Sequence, residues 1–356
     1  MRNNLKSLEL TSLIITIILA SYSGIGIYSI LKICANDAYI AVLLALSLGI
    51  PSIILFLIIF NYEENLPLNL KIEKIFGNFL GKIINIFLII MALIIGITNL
   101  YNLINFISIH YLSNTPHLII GLIFILVIIY ANLKGLTTIC RLAFILLVIN
   151  ILLFIIPFIH LLPNANYSNL RPILSHGISN PLNAAFKIVL LNINNIFILN
   201  IIPKNRFKDK HKTSKYIIWA YIISIFLMFL IITMTITSLG IDLAMLYQYP
   251  EYIVLKKINL FNFLNRIENI VAIQWINEMF ISICITIYFI SNSINIKNNK
   301  KIPIIVFSLA ILFITILVFK NNTQYNNFCF YTLPIIKTII ALIIVLVAAT
   351  ICLKKR

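Results

Sequence analysis

The chain has 356 residues, 61% hydrophobic and only 10% charged, with 27 Lys and Arg against 10 Asp and Glu and a net charge of +17. A mean hydropathy of +1.05 leaves no stretch for a separate soluble domain. The bases lie between apolar runs instead of along a groove-facing stripe, which excludes a nucleic-acid partner and leaves a polytopic protein in a lipid bilayer.

A hydrocarbon core about 30 Å thick needs roughly 20 apolar residues per helix. The sequence predicts spans at 9–32, 39–60, 79–108, 117–134, 141–162, 183–203, 215–239, 269–290, 302–320 and 331–353, within a single integral membrane domain over residues 1–356. The first run begins with Arg2 and Lys6, as a signal peptide would, but it is too long for an h-region and lacks a small-residue cleavage site, so it is read as the first span. With the N-terminus inside, nineteen bases fall on the cytoplasmic side, among them the run Lys204 to Lys215, and seven on the other, with Lys337 left inside the last span. That bias predicts two cytoplasmic termini. Ten spans divide into halves of five, about 9–162 and 183–353, and an odd number per half forces opposite orientations, the geometry of an inverted repeat.

Such a repeat places a solute site near the midplane, where the first helix of each half is broken. Span 1 carries Ser21, Tyr22, Ser23, Gly24, Ile25 and Gly26 near its centre, a run that lowers the cost of unwinding. Its counterpart, span 6, carries Asn192, Asn194, Asn195 and Asn200. Candidate ligand-binding residues are therefore Ser21, Tyr22, Ser23, Gly24, Gly26, Asn99, Asn192, Asn195 and Glu278. The competing reading is structural: small residues serve close helix packing, and asparagines accumulate in a chain rich in Ile, Asn and Lys. Glu278, deep in span 8, is costly unless paired, hydrated or protonated. It compensates a ligand ammonium, titrates with gating, or pairs with Lys187 or Lys337.

Residues 240–268 alternate aromatic and aliphatic with polar side chains, from Tyr247 through Tyr252 to Arg266, and read as interfacial helices on the outer face, either a lid or a packed hairpin. Enzymatic readings fail, because the five histidines form no metal pair, there is no nucleophile elbow, and Gly24-Ile25-Gly26 lacks the third glycine of a nucleotide loop. No cofactor or metal is expected. The cysteines Cys34, Cys140, Cys284, Cys329 and Cys352 are scattered and read as packing residues, the alternative being a Cys34 to Cys329 bridge.

Several local patterns resemble the spore germination permease family, the B subunits of nutrient germinant receptors within the amino acid/polyamine/organocation permease superfamily. The most specific is Tyr249-Pro250-Glu251-Tyr252, then Phe263-Leu264-Asn265-Arg266-Ile267-Glu268, then Trp275. Supporting matches are Asn36-Asp37-Ala38-Tyr39, the segment ending in Thr115 and Pro116, Gly135 followed by Arg141, and Asn169-Leu170-Arg171-Pro172. One departure is that the family's proline after the span 1 glycines is absent, since Ile27, Tyr28, Ser29 and Ile30 follow, which predicts a less firmly broken helix. The resemblance implies an all-α, LeuT-like fold of two inverted five-helix repeats. It implies a subunit of the spore inner membrane that binds a small nutrient, typically an amino acid, and partners with a membrane A subunit and a lipoprotein C subunit. A cation-coupled amino acid permease is the alternative with the same fold.

Overall fold

The computed structural model of the chain describes residues 5–175, 177–256, 268–294 and 301–354. It is all-α. In chain order the helices are α1 Ser7–Tyr22, α2 Ile25–Cys34, α3 Ala38–Leu48, α4 Ile50–Asn61, α5 Leu68–His110, α6 His117–Lys134, α7 Leu136–Leu161 and α8 Ser179–Leu191. There follow α9 Thr213–Leu239, α10 Ile241–Ala244, α11 Pro250–Lys256, α12 Glu268–Ser293, α13 Lys301–Val318, α14 Asn322–Asn327 and α15 Leu333–Lys354. A 3₁₀ run, Ile193–Ile201, continues α8.

Among the described residues nine helical stretches are long and apolar enough to cross a membrane, with the shorter apolar α1 beside them. The outward faces of these helices carry Leu126 at 56% exposure, Leu152 at 58%, Leu317 at 71% and Leu342 at 65%. Such a belt of bare aliphatic side chains is tolerable only where the solvent is hydrocarbon.

The first span is buried on every side, with α1 packed against α7, α9 and α12. Its two ends are tied to the two ends of α8 and its continuation. At one end Leu5 bridges Phe207, and the Ser7 N–H donates to Asp209 Oδ1 at 3.0 Å. At the other, Cys34 Sγ donates to the Asn180 carbonyl at 3.8 Å, and Asn36 Nδ2 to the carbonyls of Asn169 and Arg171 at 2.7 and 2.9 Å. The two segments therefore run side by side and antiparallel.

Departures from the predicted boundaries have local causes. The third span is preceded by a further helical stretch from Leu68, merged with it through Gly77 at φ 79°, and folded back so that Asn85 Nδ2 donates to the Asn69 carbonyl at 3.1 Å. The last span is preceded by α14 and a π-type turn, Phe328–Thr332. All five cysteines are free thiols, so the Cys34 to Cys329 alternative is not realised. Of the segment 240–268, α10 and α11 are seen, while residues 257–267, including Arg266, lie outside the described residues. The same holds for His176 and for Lys297 and Lys300.

Outside the spans, the loop after α4 is bound to the segment after the 3₁₀ run. Glu64 accepts from Lys204 Nζ at 2.6 Å and from Lys210 Nζ at 3.4 Å. The Lys204 hydrogen bond, more than any other influence, holds the Glu64 carboxyl below its ordinary range. This tie is therefore present at neutral pH and is lost as the pH falls through that lowered value.

The second span bends at Gly49, where Pro51 enters the first turn of α4 and withholds one amide hydrogen from the helix ladder. Beside the bend, and not at the Ser47 carbonyl that Pro51 leaves without a donor, the hydroxyl of Tyr221 of α9 lies 2.9 Å from the Ala45 carbonyl oxygen and 2.6 Å from that of Leu46. Tyr221→Phe removes that donor and should cost about 1–3 kcal/mol, read as a lower melting temperature of the detergent-solubilised chain. Unchanged melting would mean that the bend needs no donor.

Candidate functional site

The break in the first span is built from Ser23 and Gly24. Ser23 is extended at φ −62°, ψ 141° and Gly24 sits at φ 71°, ψ −111°, so α1 stops at Tyr22 and α2 starts at Ile25. The glycine does this without the proline that the sequence lacks, because only a residue without a Cβ enters that region cheaply. The expectation of a less firmly broken helix is thus corrected.

Backbone groups freed inside hydrocarbon need partners, and other elements supply them. The Gly24 N–H donates to Glu251 Oε1 at 2.6 Å, and Asn102 Nδ2 donates to the Ser23 carbonyl at 3.3 Å. Ser23 turns its Oγ to the Leu19 carbonyl at 3.0 Å and to Glu278 Oε2 at 3.3 Å. Glu251 belongs to α11, so the short helix after α9 reaches into the bundle. Tyr249 comes with it: Asn105 Nδ2 donates to its hydroxyl at 2.7 Å, and its ring covers Gly24. Around that ring Phe106, His110, Tyr252 and Trp275 form an aromatic plug, with centroids of Phe106 and Trp275 4.7 Å apart.

The second break follows α8. Its last residue is Leu191, and the chain then tightens into the 3₁₀ run beginning at Ile193. Asn195 ties the breaks together, donating through Nδ2 to Ser21 Oγ and to the Leu191 carbonyl, both at 2.7 Å, while its Oδ1 accepts from Lys337 Nζ of α15.

Between the breaks lies a cavity of about 50 Å³ bounded by α1, α2, α5, α8 and α15. A water needs roughly 10–15 Å³, so there is space for a small polar solute. Ser21, Gly26, Asn99, Asn192 and Asn195 all line it, as do Asn102, Lys187, Tyr325 and Lys337. Among the described residues no carboxylate is in its wall. Lys337 is 3% exposed, and Asn102 Oδ1 and Asn192 Oδ1 are buried acceptors without a partner. The wall therefore offers one buried ammonium and two unmet acceptors, an arrangement that matches a solute carrying both an anionic group and N–H or O–H donors.

Four of the predicted ligand-binding residues are not brought into this cavity. Tyr22 is fully buried and donates its hydroxyl to the Met228 carbonyl at 3.0 Å. Gly24 is covered by the Tyr249 ring. Ser23 and Glu278 line a different cavity, shared with α7 and α9. Glu278 bonds Ser23, so neither of its ion pairs with Lys187 or Lys337 is formed.

Sequence reasoning missed Lys337, Asn102 and Glu251 as site residues. Asn99, Asn102 and Asn105 share one helical face by their spacing, and Lys337 stands out as a cation inside a span; Glu251 is marked only as part of the Tyr249-Pro250-Glu251-Tyr252 pattern, with nothing to place it at the break. The motif residues are spread over the molecule. Pro250 opens α11, Glu268 opens α12, and Trp275 follows two turns on. Pro116 with Thr115 precedes α6, and Gly135 joins α6 to α7 at φ 92°. Arg141 lies 4.0 Å from Glu9 at an exposed position, where an ion pair contributes little, and Pro172 is in the loop before α8.

Gly24→Ala tests the closure of the break. A Cβ there would lie 2.8 Å from Tyr249 Cδ1 and would hold alanine in the left-handed region, so the variant should lose at least about 1–2 kcal/mol, seen as a lower melting temperature. A variant as stable as the parent would mean that the Tyr249 ring does not cover the break.

Comparison with known proteins agrees with this architecture. The family profile described as Spore germination protein matches residues 4–325. The chain is 25% identical over 268 residues to the Putative spore germination protein YfkT of Bacillus subtilis (strain 168), covering 74% of this chain and 73% of that protein. It is 23% identical over 268 residues to Spore germination protein XB of Bacillus anthracis, covering 74% of each. It is 24% identical over 269 residues to Spore germination protein YndE of Bacillus subtilis (strain 168), covering 74% of this chain and 73% of that protein. With a profile match over most of its length and a bundle of long apolar helices, the chain is an integral membrane protein that belongs to the Spore germination protein family, a family of membrane permeases and not of enzymes.

Proposed function

We propose that the chain is the membrane subunit of a spore nutrient germinant receptor in the spore inner membrane, and that a small nutrient, an amino acid by the chemistry of the cavity, binds between the two broken helices and triggers germination. The observation that carries this reading is the wall of the 50 Å³ cavity, which contains Lys337, fixed by Asn195, together with Asn102 and Asn192, whose side-chain oxygens are buried without a partner. The ligand carboxylate meets Lys337 and the free N–H groups at the start of α2, and its ammonium meets the two amide oxygens.

The fold belongs to the same reading. Two inverted five-helix repeats, about 9–162 and 183–353, with both termini cytoplasmic, account for an antiparallel pair of broken helices flanking one cavity. A membrane A subunit and a lipoprotein C subunit complete the receptor. Binding drives signalling only through a difference in affinity between a closed and an open state. The aromatic plug over Gly24 and the Glu251 bond to its amide are contacts that such a change has to remake.

Lys337→Met tests the proposal. A hydrogen bond to a charged group is worth about 1.5–3 kcal/mol, so the nutrient concentration for half-maximal germination should rise at least about tenfold, at unchanged receptor level in the spore membrane. An unchanged dose response removes the cavity from the mechanism and leaves a non-binding scaffold. Uptake of labelled amino acid by proteoliposomes holding this chain alone would instead mark a cation-coupled permease.

A further inference from the structure

The two buried carboxylates near the break are not in the wall of the nutrient cavity, and the reading above gives neither of them a ligand. Glu251 and Glu278 are each 7% exposed and reach the same turn, Glu251 to the Gly24 N–H and Glu278 to Ser23 Oγ. Adjacent residues thus hold both acids, and these two donors serve only one oxygen of each. Glu251 Oε2 is buried without a partner.

Both acids border adjoining cavities on the side of α1 away from Lys337. One, of about 60 Å³, lies between α7, α9, α11 and α12 and is walled by Glu251, Phe154, Phe158, Met234 and Trp275. The other, of about 40 Å³, is walled by Glu278, Ser23, Phe154 and Trp275. Each exceeds by severalfold the roughly 10–15 Å³ that a water occupies. Among the described residues neither wall contains a lysine, arginine or histidine.

Two carboxyl groups in a largely apolar cleft, with no basic side chain among the described residues of its wall, are a ready counter-charge for a bound cation. A bare metal ion takes six or more oxygen ligands. Besides the two carboxylates the walls hold Ser23, Asn150, Thr235 and Gln274, each already hydrogen-bonded within the protein, and no group of three His, Cys, Asp or Glu side chains that could hold a metal occurs among the described residues. An ammonium fits better, since it donates to few acceptors and is attracted to aromatic faces. The remaining apolar walls then call for an apolar body on that ammonium. We propose that the cleft between α1, α7, α9, α11 and α12 is a second ligand site, for a primary amine with an apolar body, its ammonium held by Glu251 and Glu278 and its body by Phe154, Phe158 and Trp275.

The chain contains its own reporter. It has two tryptophans, and Trp219 lies on the lipid-facing surface of α9 at 51% exposure, so Trp219→Phe leaves Trp275 as the single tryptophan, in the cleft wall. In the full-length Trp219→Phe chain in phosphatidylcholine nanodiscs, phenethylamine should change the Trp275 emission saturably. Glu251→Gln and Glu278→Gln in the same background should each weaken the midpoint at least tenfold, whereas Lys337→Met, in the other cavity, should leave it unchanged. Phenylethanol and phenylacetate, the neutral and anionic counterparts of the probe, should give no saturable change in the Trp219→Phe chain itself, an arm that does not depend on the glutamate variants folding. Absence of a saturable amine signal, equal titration by phenylethanol, or a midpoint unmoved in folded glutamate variants would each overturn the proposal. Because Lys337→Met separates the cavities, a failure here leaves the nutrient reading standing, and the reverse also holds.

Discussion

The structure depends on how it satisfies one unwound turn in the middle of a membrane. Ser23 and Gly24 interrupt the first span where no water is available to the backbone, and each freed group becomes a demand on a neighbour. The answers come from distant parts of the chain: Asn102 from α5, Glu251 from α11, Glu278 from α12. The break therefore organises the bundle. Elements separated by more than two hundred residues are held together because one turn of helix was not made. Tyr249, laid over Gly24 where no Cβ intervenes, adds a steric reason for glycine to the electrostatic reasons for its partners.

The same turn separates charge. On one side lie Lys187 and Lys337 with asparagine amides; on the other lie Glu251 and Glu278 among aromatic and aliphatic walls. Kept apart, each group retains unused hydrogen-bonding capacity in a low-dielectric setting, where interactions with a ligand are strong.

Much of this was legible in the sequence, for physical reasons. Hydropathy located the spans because bilayer thickness fixes helix length, and the Ser-Tyr-Ser-Gly-Ile-Gly run located the first break because glycine is cheap at positive φ. Asn195 was legible as a polar residue in a span that the repeat required to be interrupted. Glu251 was not: it sits in a seven-residue helix whose alternation of apolar and polar residues suggested a surface position, and only tertiary folding carries it to Gly24. Glu278 was singled out because an acid in hydrocarbon is expensive, yet depth along a helix says nothing about which face it occupies, so it was assigned to the wrong cavity. Lys337 was noticed as a base left over from the topology count, and its role emerged only when Asn195 was seen to hold it. The missing proline matters less than expected, since Ser23 and Gly24 together break the helix without it.

Accessibility of single cysteines along the first and sixth spans, in an otherwise cysteine-free chain in nanodiscs, tests the central claim most directly. The account predicts that Ser21→Cys and Asn192→Cys react with a small charged methanethiosulfonate and are protected by nutrient, while Ile14→Cys and Ile18→Cys, fully buried on the intact part of α1, stay silent. Silence at Ser21→Cys and Asn192→Cys, or reaction at all four positions alike, would contradict a polar chamber between two broken helices.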